Sequence, residues 1–431
     1  MPGSIAKIVR NIVPSSWVQA LTPKPRKQSQ ASGVPHSVSP SSVTQVGPTG
    51  IKLDMSKLNV SELCYMFRKY RATNLLLAID NLTRGEGQEH CLRVGDALYY
   101  DGEQDVAAAG DYHGNVPRFN LFLKKQGPYL LSGERDVVLL GDILHLEEKA
   151  NLEDMWTSRD LLDAVIMLTI LFPGRFHLVL GNHDLVCPYP EIVKEAVEFV
   201  FSNEDGGYYF EMNSYLVSKG VLPKEQTDLM YVAKPRGQVL IPQALIFLHS
   251  LCRELKIQGY KQDEVIEMVN QYQTFLNSCP MLGEVDGDKG LTYFAHSGVL
   301  KGDFTEAQLI NVRKNSHLAY ALLTNRALAF EVKTDENRKS AERLTTEDDF
   351  LKTVSIVGHE RPVEEVHVLS GHDPDKNNFG FGWKPFPQRN FSVIHSNVKS
   401  SFGWAVIKNG VPIYEEATQE ELVENNALDA A

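Results

Sequence analysis

The chain has 431 residues, 43% hydrophobic and 23% charged, enough for two or three domains or one elaborated catalytic domain. Its 43 Lys and Arg face 55 Asp and Glu, and the resulting net charge of −12 argues against broad binding to phosphate backbones, so nucleic acid is not an expected partner. Five cysteines (Cys64, Cys91, Cys187, Cys252, Cys279) are odd in number and lack CxxC spacing, which argues against a disulfide framework or zinc ribbon and fits a reducing cytoplasm.

Residues 1–50 contain no acidic side chain but carry Lys7, Arg10, Lys24, Arg26 and Lys27; the remaining 381 residues hold 38 basic and 55 acidic side chains. Ile5, Ile8, Val9, Ile12 and Val13 recur at helical spacing, with Trp17 and Leu21 beyond the Pro14-Ser15-Ser16 break. That break removes the compact apolar core of a secretory signal. A basic amphipathic helix lying on an anionic membrane through residues 1–21 has this pattern, and so does a partly disordered leader. Residues 21–50 are rich in Pro, Ser, Gln, Thr and Val without periodicity and read as linker.

From 51 to 84 the spacing of Leu63, Met66, Phe67, Tyr70, Leu75 and Leu76 predicts helix. Short apolar runs follow, each ending in a polar cluster. Val106–Ala109 leads to Gly110-Asp111, Val137–Leu140 to Gly141-Asp142, and His177–Leu180 to Gly181-Asn182. Tyr293–Ala295 leads to His296, and Val354–Val357 to Gly358-His359. Five buried strands are expected here, each delivering a metal-capable residue past its carboxyl end, where active sites of layered α/β folds collect. The apolar run Ala164–Phe172 falls short of the roughly 18–20 residues of a membrane span and predicts a buried helix. Residues 188–290 form a mainly helical insertion, with His249 in a core or capping position, and the acidic tail at 416–431 is expected to fray.

Singly, these clusters are weak signals; together they describe a chemistry. Mixed Asp, Asn and His donors suit borderline divalent ions, Mn²⁺ first and Fe²⁺ or Zn²⁺ after it. Two such ions held about 3.5–4 Å apart by a shared carboxylate serve phosphoryl hydrolysis by an activated water. Other phosphate chemistries lack their signatures. His90-Cys91 begins the HCx5R pattern of cysteine phosphatases, but Ala97 stands at the Arg position, and no GxxxxGK[ST] loop occurs.

The series Gly110-Asp111-Tyr112-His113-Gly114, Gly141-Asp142, Gly181-Asn182-His183-Asp184, Phe294-Ala295-His296-Ser297-Gly298 and Gly358-His359-Glu360 resembles the calcineurin-like metallophosphoesterases, in particular the phosphoprotein phosphatase branch. The resemblance implies an α/β fold, a β-sandwich flanked by helices, over about 51–415. It implies that Asp111 and His113 bind one metal ion, Asp142 bridges, and Asn182, His296 and His359 bind the second, with His183 as general acid. It also implies a phosphoprotein substrate. The family's Asp-Arg pair after the bridging residue is replaced by His145 and Leu146. Asp184 and His145 are therefore candidates to orient His183. Asn115, Arg118 and His395 are candidates to line the phosphate pocket, alongside Arg313, Arg326 and Arg361.

A dinucleoside-polyphosphate hydrolase shares most of these motifs, and a non-catalytic phosphoprotein-binding scaffold is the alternative of another class. The aromatic loop 379–386 fits a slot for phosphotyrosine over phosphoserine or phosphothreonine. The Glu-rich C-terminus resembles export signals of bacterial effectors delivered into host cells, an alternative to residence in the cytoplasm.

Overall fold

The computed structural model describes residues 44–46, 52–54, 58–84, 90–144, 152–184, 189–222, 231–233, 238–240, 242–324, 326–327, 344–372, 389–394 and 402–425. The amphipathic segment at 1–21, the loop at 379–386, His145 and His395 lie outside them.

A ribbon of β1 (Thr44–Val46) and β2 (Lys52–Asp54), the former inside the expected linker, precedes helices α1 (Val60–Lys69) and α2 (Arg71–Arg84). Hairpin β3 (Cys91–Val94) and β4 (Ala97–Tyr100) follows. Next come β5 (Asp105–Ala109), α3 (Val116–Ser132), β6 (Arg135–Leu139), α4 (Leu152–Leu171) and β7 (Phe176–Leu178). The expected insertion supplies α5 (Pro190–Ser202), α6 (Tyr209–Ser218), ribbon β8 (Tyr231–Ala233) and β9 (Gln238–Leu240), α7 (Pro242–Ile257) and α8 (Gln262–Ser278). Hairpin β10 (Leu282–Gly287) and β11 (Gly290–Ala295) leads to α9 (Glu306–Ile310) and α10 (Ser316–Thr324). A two-residue pair, β12 (Arg326–Ala327) and β13 (Leu344–Thr345), precedes α11 (Glu347–Val357), β14 (Val366–Ser370) and β15 (Phe391–Val393). Hairpin β16 (Gly403–Lys408) and β17 (Val411–Glu416) and helix α12 (Gln419–Glu424) close the described chain.

Two sheets carry the fold. One runs β15-β14-β11-β10-β4-β3 and the other β17-β16-β5-β6-β7. Strands β5, β6 and β7 are parallel, joined by the crossover helices α3 and α4, so their carboxyl ends lie on one side. In the other sheet β11 and β14 are parallel and likewise end together.

Period-two alternation explains how the sheets stack. Val106, Ala108, Val138, Ala405 and Ile407 from one sheet meet Leu98, Tyr100, Val285, Phe294 and Leu369 from the other in a shared inner core. Their neighbours Ala107, Ala109, Val137, Leu139, Trp404 and Val406 face outward, under α1–α5, α7 and α8. Tyr99, Tyr293, Ala295, Val366 and Val368 face outward on the second sheet, under α9, α10 and α11. Both outer faces are therefore helix-covered, and the molecule is an α/β sandwich of two sheets flanked by helices. Helix α4 is buried between Leu161 and Leu171, apolar but for Thr169 and for Asp163, whose charge is met by Arg68 and the Tyr272 hydroxyl. Among the described residues no helix is long and apolar enough to cross a membrane.

Two expectations are corrected. Val354–Val357 is the last turn of helix α11, not a strand. Phe350, Val354 and Val357 share a buried face at helical spacing, and Thr346 caps the first turn by accepting the Asp349 amide. Four residues are too few for periodicity to tell a strand from a helical turn. The acidic tail does not fray through Asn425: α12 is capped by Thr418, Glu421 pairs with Lys125, and Leu422 is buried.

Candidate metal centre

Three loops meet where β5, β6 and β7 end. The first two are laced together by their backbones. The Asp111 N–H donates to Gly141 O at 3.0 Å, His113 N–H to Asp142 O at 2.9 Å, and Gly114 N–H to Ile143 O at 2.8 Å. Asp111, His113 and Asp142 all adopt left-handed backbone, with φ of 53°, 48° and 50°. Such a conformation costs a non-glycine residue about 1–3 kcal/mol and survives where surrounding bonds impose it, as this ladder does. Between the two metal-capable residues, Tyr112 is buried against Phe119 at 5.1 Å, edge to face, and against Phe122 and Phe402. The Asp-Tyr-His order thus anchors the loop through its middle residue.

Asp142 stands at the centre. Its Oδ1 accepts the backbone N–H of His183 at 2.8 Å. Its Oδ2 faces three imidazoles: His296 Nε2 at 3.3 Å, His113 Nε2 at 3.9 Å and His183 Nε2 at 3.9 Å. His113 also lies 3.9 Å from Asp111 Oδ2 and packs edge to face with His183, ring centres 4.9 Å apart. On the other side, His296 Nε2 is 2.9 Å from Asn182 Oδ1 and 3.1 Å from His372 Nδ1. Its Nδ1 donates to Leu140 O at 2.8 Å, which fixes the ring and leaves Nε2 for the cluster. The second sheet delivers its pair together, since the Gly371 and His372 amides both donate to His296 O.

Two triads, His113–Asp142–His183 and Asp142–His296–His372, each keep their ligand atoms within 4.8 Å of one another, and they share Asp142. Glycines make room for this. At Gly371 a Cβ would stand 2.7 Å from Asp111 Oδ1, and at Gly141, with φ of 90°, a Cβ would stand 2.9 Å from His296 Nδ1. Burial disfavours the Asp142 charge, but His296, His183 and His113 outweigh it and hold this carboxyl well below the usual range. His296 answers in the opposite sense: burial lowers it, and the charge and hydrogen bond of Asp142 raise it above an ordinary histidine. Two buried carboxylates, an amide oxygen and clustered imidazoles form the N/O donor set that borderline divalent ions favour, and the residues present fit a pair of such ions.

The structure thus brings Asp111, His113, Asp142, Asn182, His183 and His296 together. It does not bring His359 there. His359 follows helix α11 and bonds Glu284 through Nε2, at 2.9 and 3.0 Å, on the helix-covered outer side of the second sheet. Burial lowers the His359 pKa, but Glu284 more than compensates and raises it. The histidine missed from sequence is His372. Its signal was present: β14 ends in Gly371-His372, the same glycine-then-ligand step as Gly110-Asp111 and Gly141-Asp142.

Asp184, expected to orient His183, turns away into the backbone. Its Oδ2 accepts the N–H groups of Asp142 at 2.8 Å and Gly181 at 3.0 Å, and its Oδ1 those of Ile143 at 2.9 Å and Leu144 at 3.3 Å. Burial and the nearby charge of Asp142 push its carboxyl up to about 7, while amide donors pull it back. Asn115 caps α3 by accepting the Arg118 amide at 3.1 Å, and Arg118 is fully buried in that helix's first turn. Arg313 is held by Asp96 and Cys279 O, and Arg361 by Asp286 at 2.7 Å and Gly287 O. His145 and His395 lie outside the described residues, and so does the Arg326 side chain.

No protein-family model matches the chain, and no curated protein matches it. Among solved structures it is similar to a protein serine/threonine phosphatase from Saccharomyces cerevisiae with similarity to human phosphatase PP5, at 13% identity and a TM-score of 0.45, covering 84% of this chain and 91% of that one. It is also similar to a protein described as a diadenosine tetraphosphatase, at 15% identity and a TM-score of 0.34, covering 75% of this chain and 99% of that one.

Proposed function

We propose that the chain is a metal-dependent phosphoesterase that hydrolyses phosphomonoesters on proteins. The observation that carries this reading is the pair of ligand triads sharing one buried carboxylate, Asp142. Asp111 and His113 on one side, and Asn182, His296 and His372 on the other, are the residues that would hold two divalent ions, together with Asp142, which both triads share. Bound there, the ions supply Lewis-acid charge and a water acidic enough to act as nucleophile near neutral pH.

The protein's own side chains divide the remaining work. His296, with no exposed side-chain surface, orients and excludes water. His183 is 18% exposed, more than His113 at 10%, and is the imidazole that reaches outward. Its backbone N–H donates to Asp142 Oδ1, and its ring would give a proton to the leaving oxygen, a task that suits an imidazole at neutral pH. The protein substrate rests on the motif series at 110–114, 141–142, 181–184 and 294–298, which resembles phosphoprotein phosphatases.

The test is phosphate release by metal-stripped protein, with and without Mn²⁺, from matched phosphotyrosine and phosphoserine/phosphothreonine peptides and from diadenosine tetraphosphate. Turnover on peptides that requires Mn²⁺ and falls at least about a thousandfold in Asp142→Asn is expected. Turnover on the dinucleotide alone would replace the protein substrate with a nucleotide one. Metal binding without turnover of any of them would reduce the domain to a binding module.

A further inference from the structure

The bridging position of Asp142 is built by a residue that never faces the cluster. We propose that Asp184 is the positioning residue of this centre: its carboxylate sets the place of Asp142 by gathering the backbone around it. The inference rests on the metal-centre reading above and adds the device that makes the centre.

Asp184 has no exposed surface. Four amides from two separate loops converge on it. Those of Asp142, Ile143 and Leu144 come from the loop after β6, and that of Gly181 comes from the loop after β7. A carboxylate has about four lone-pair sites and no donor when ionised, so this arrangement uses it in full. An asparagine has one acceptor oxygen and would turn its NH₂ toward amides that are themselves donors. The three consecutive donors from Asp142 to Leu144 curl the chain about one point. That curl is what places Asp142 at φ 50°, with its side chain between His296 and His113.

The coupling runs in both directions across the site. Asp184 ties the Asp142 amide from behind, while the amide of His183, its own neighbour, ties Asp142 Oδ1 from in front. Backbone and side chain of the central residue are therefore both pinned by the single step from His183 to Asp184. Gly181 is part of the same device. A Cβ there would run into the amide and carboxylate of Asp142, so the third loop packs directly on the residue that Asp184 holds. Asp184 touches neither substrate nor ion in this arrangement; its effect passes through Asp142.

The experiment compares the full chain with Asp184→Asn and Asp184→Glu, all metal-stripped. Calorimetric titration with Mn²⁺ and amide hydrogen exchange over residues 141–144 are the readouts. Loss of an outer-shell partner of this kind weakens metal binding about 10–100-fold. The expectation is that loss in Asp184→Asn, with exchange at Ile143 and Leu144 at least about tenfold faster and the helices α7 and α8 unchanged. Asp184→Glu, which keeps both acceptor oxygens, recovers Mn²⁺ affinity to within about tenfold of the parent. Parent-like Mn²⁺ affinity or parent-like exchange in a folded Asp184→Asn would overturn the proposal. If Asp184→Asn does not fold, the glutamate variant decides: folded with near-parent affinity supports it, and folded with affinity lost more than about a hundredfold overturns it. A parent protein that binds no Mn²⁺ defeats the metal-centre reading itself, whereas the exchange result still reports on the clamp.

Discussion

His359 and His372 are chemically identical and play different parts, and the difference lies in their neighbours. His372 meets another imidazole 3.1 Å away, beside Asp142 and Asn182. His359 meets Glu284, a carboxylate only 5% exposed whose pKa burial raises even against the pull of that imidazole. His372→Ala is expected to weaken Mn²⁺ binding at least about tenfold with little change in thermal unfolding. His359→Ala is expected to do the reverse. It leaves Glu284 buried without its partner, which costs about 1–3 kcal/mol or more, while Mn²⁺ affinity stays within about threefold. Calorimetry and thermal unfolding on both variants check the pair, and a metal defect in His359→Ala alone would contradict the placement. Nothing in the local sequence separates these histidines. Both follow a glycine after an apolar run, and only the type of the preceding element decides.

At the scale of elements, the tail and strand β7 make separate predictions. The Glu-rich composition after 415 reads as solvated tail, yet α12 docks through one side chain. Leu422 is fully buried with Phe402 and Trp404 in the helix-side core. Leu422→Ala is expected to cost about 2–5 kcal/mol, the usual range for a buried leucine, whereas Glu420→Ala, on the exposed side, costs about 0.5 kcal/mol or less; chemical denaturation separates them. In β7, His177 is buried beside Tyr100, edge to face at 6.1 Å. Burial lowers its pKa from 6.5 to about 4, only partly opposed by the backbone of Gly174. The unfolded chain then binds more protons than the folded one between those values, so stability falls as pH drops from about 6.5 to 4, by about 3 kcal/mol in all. His177→Phe is expected to flatten that slope in denaturation curves taken between pH 7 and 4.5. An unchanged slope would show that other groups dominate.

For the whole molecule, the centre lies between the two sheets, so an ion bound there joins them. The candidate ligands that follow β5, β6 and β7 belong to one sheet, and His296 and His372 follow strands of the other. Binding to the folded state alone stabilises by about 2.7 kcal/mol at a hundredfold excess over Kd. Mn²⁺ is therefore expected to raise the unfolding midpoint of the stripped protein by a few degrees, and Asp142→Asn to abolish the shift. A shift retained in that variant would place the bound ion elsewhere.

The sequence by itself determined which residues meet at the ends of β5, β6 and β7. An apolar run followed by glycine and a polar ligand is a local pattern, and parallel strands joined by helices carry such ends to one side whatever the rest of the chain does. It also carried the layered α/β arrangement and the buried helix α4. Tertiary structure decided what depends on distant partners. Whether Val354–Val357 is strand or helix turned on the face that Phe350, Val354 and Val357 bury against Val366, Val368 and Phe391, and with it whether His359 or His372 entered the cluster. Whether Asp184 faced an imidazole or four amides turned on where the β6 loop crosses the β7 loop. A side chain's type limits what it can bind, but its partner is set by chain segments that sequence spacing does not bring into view.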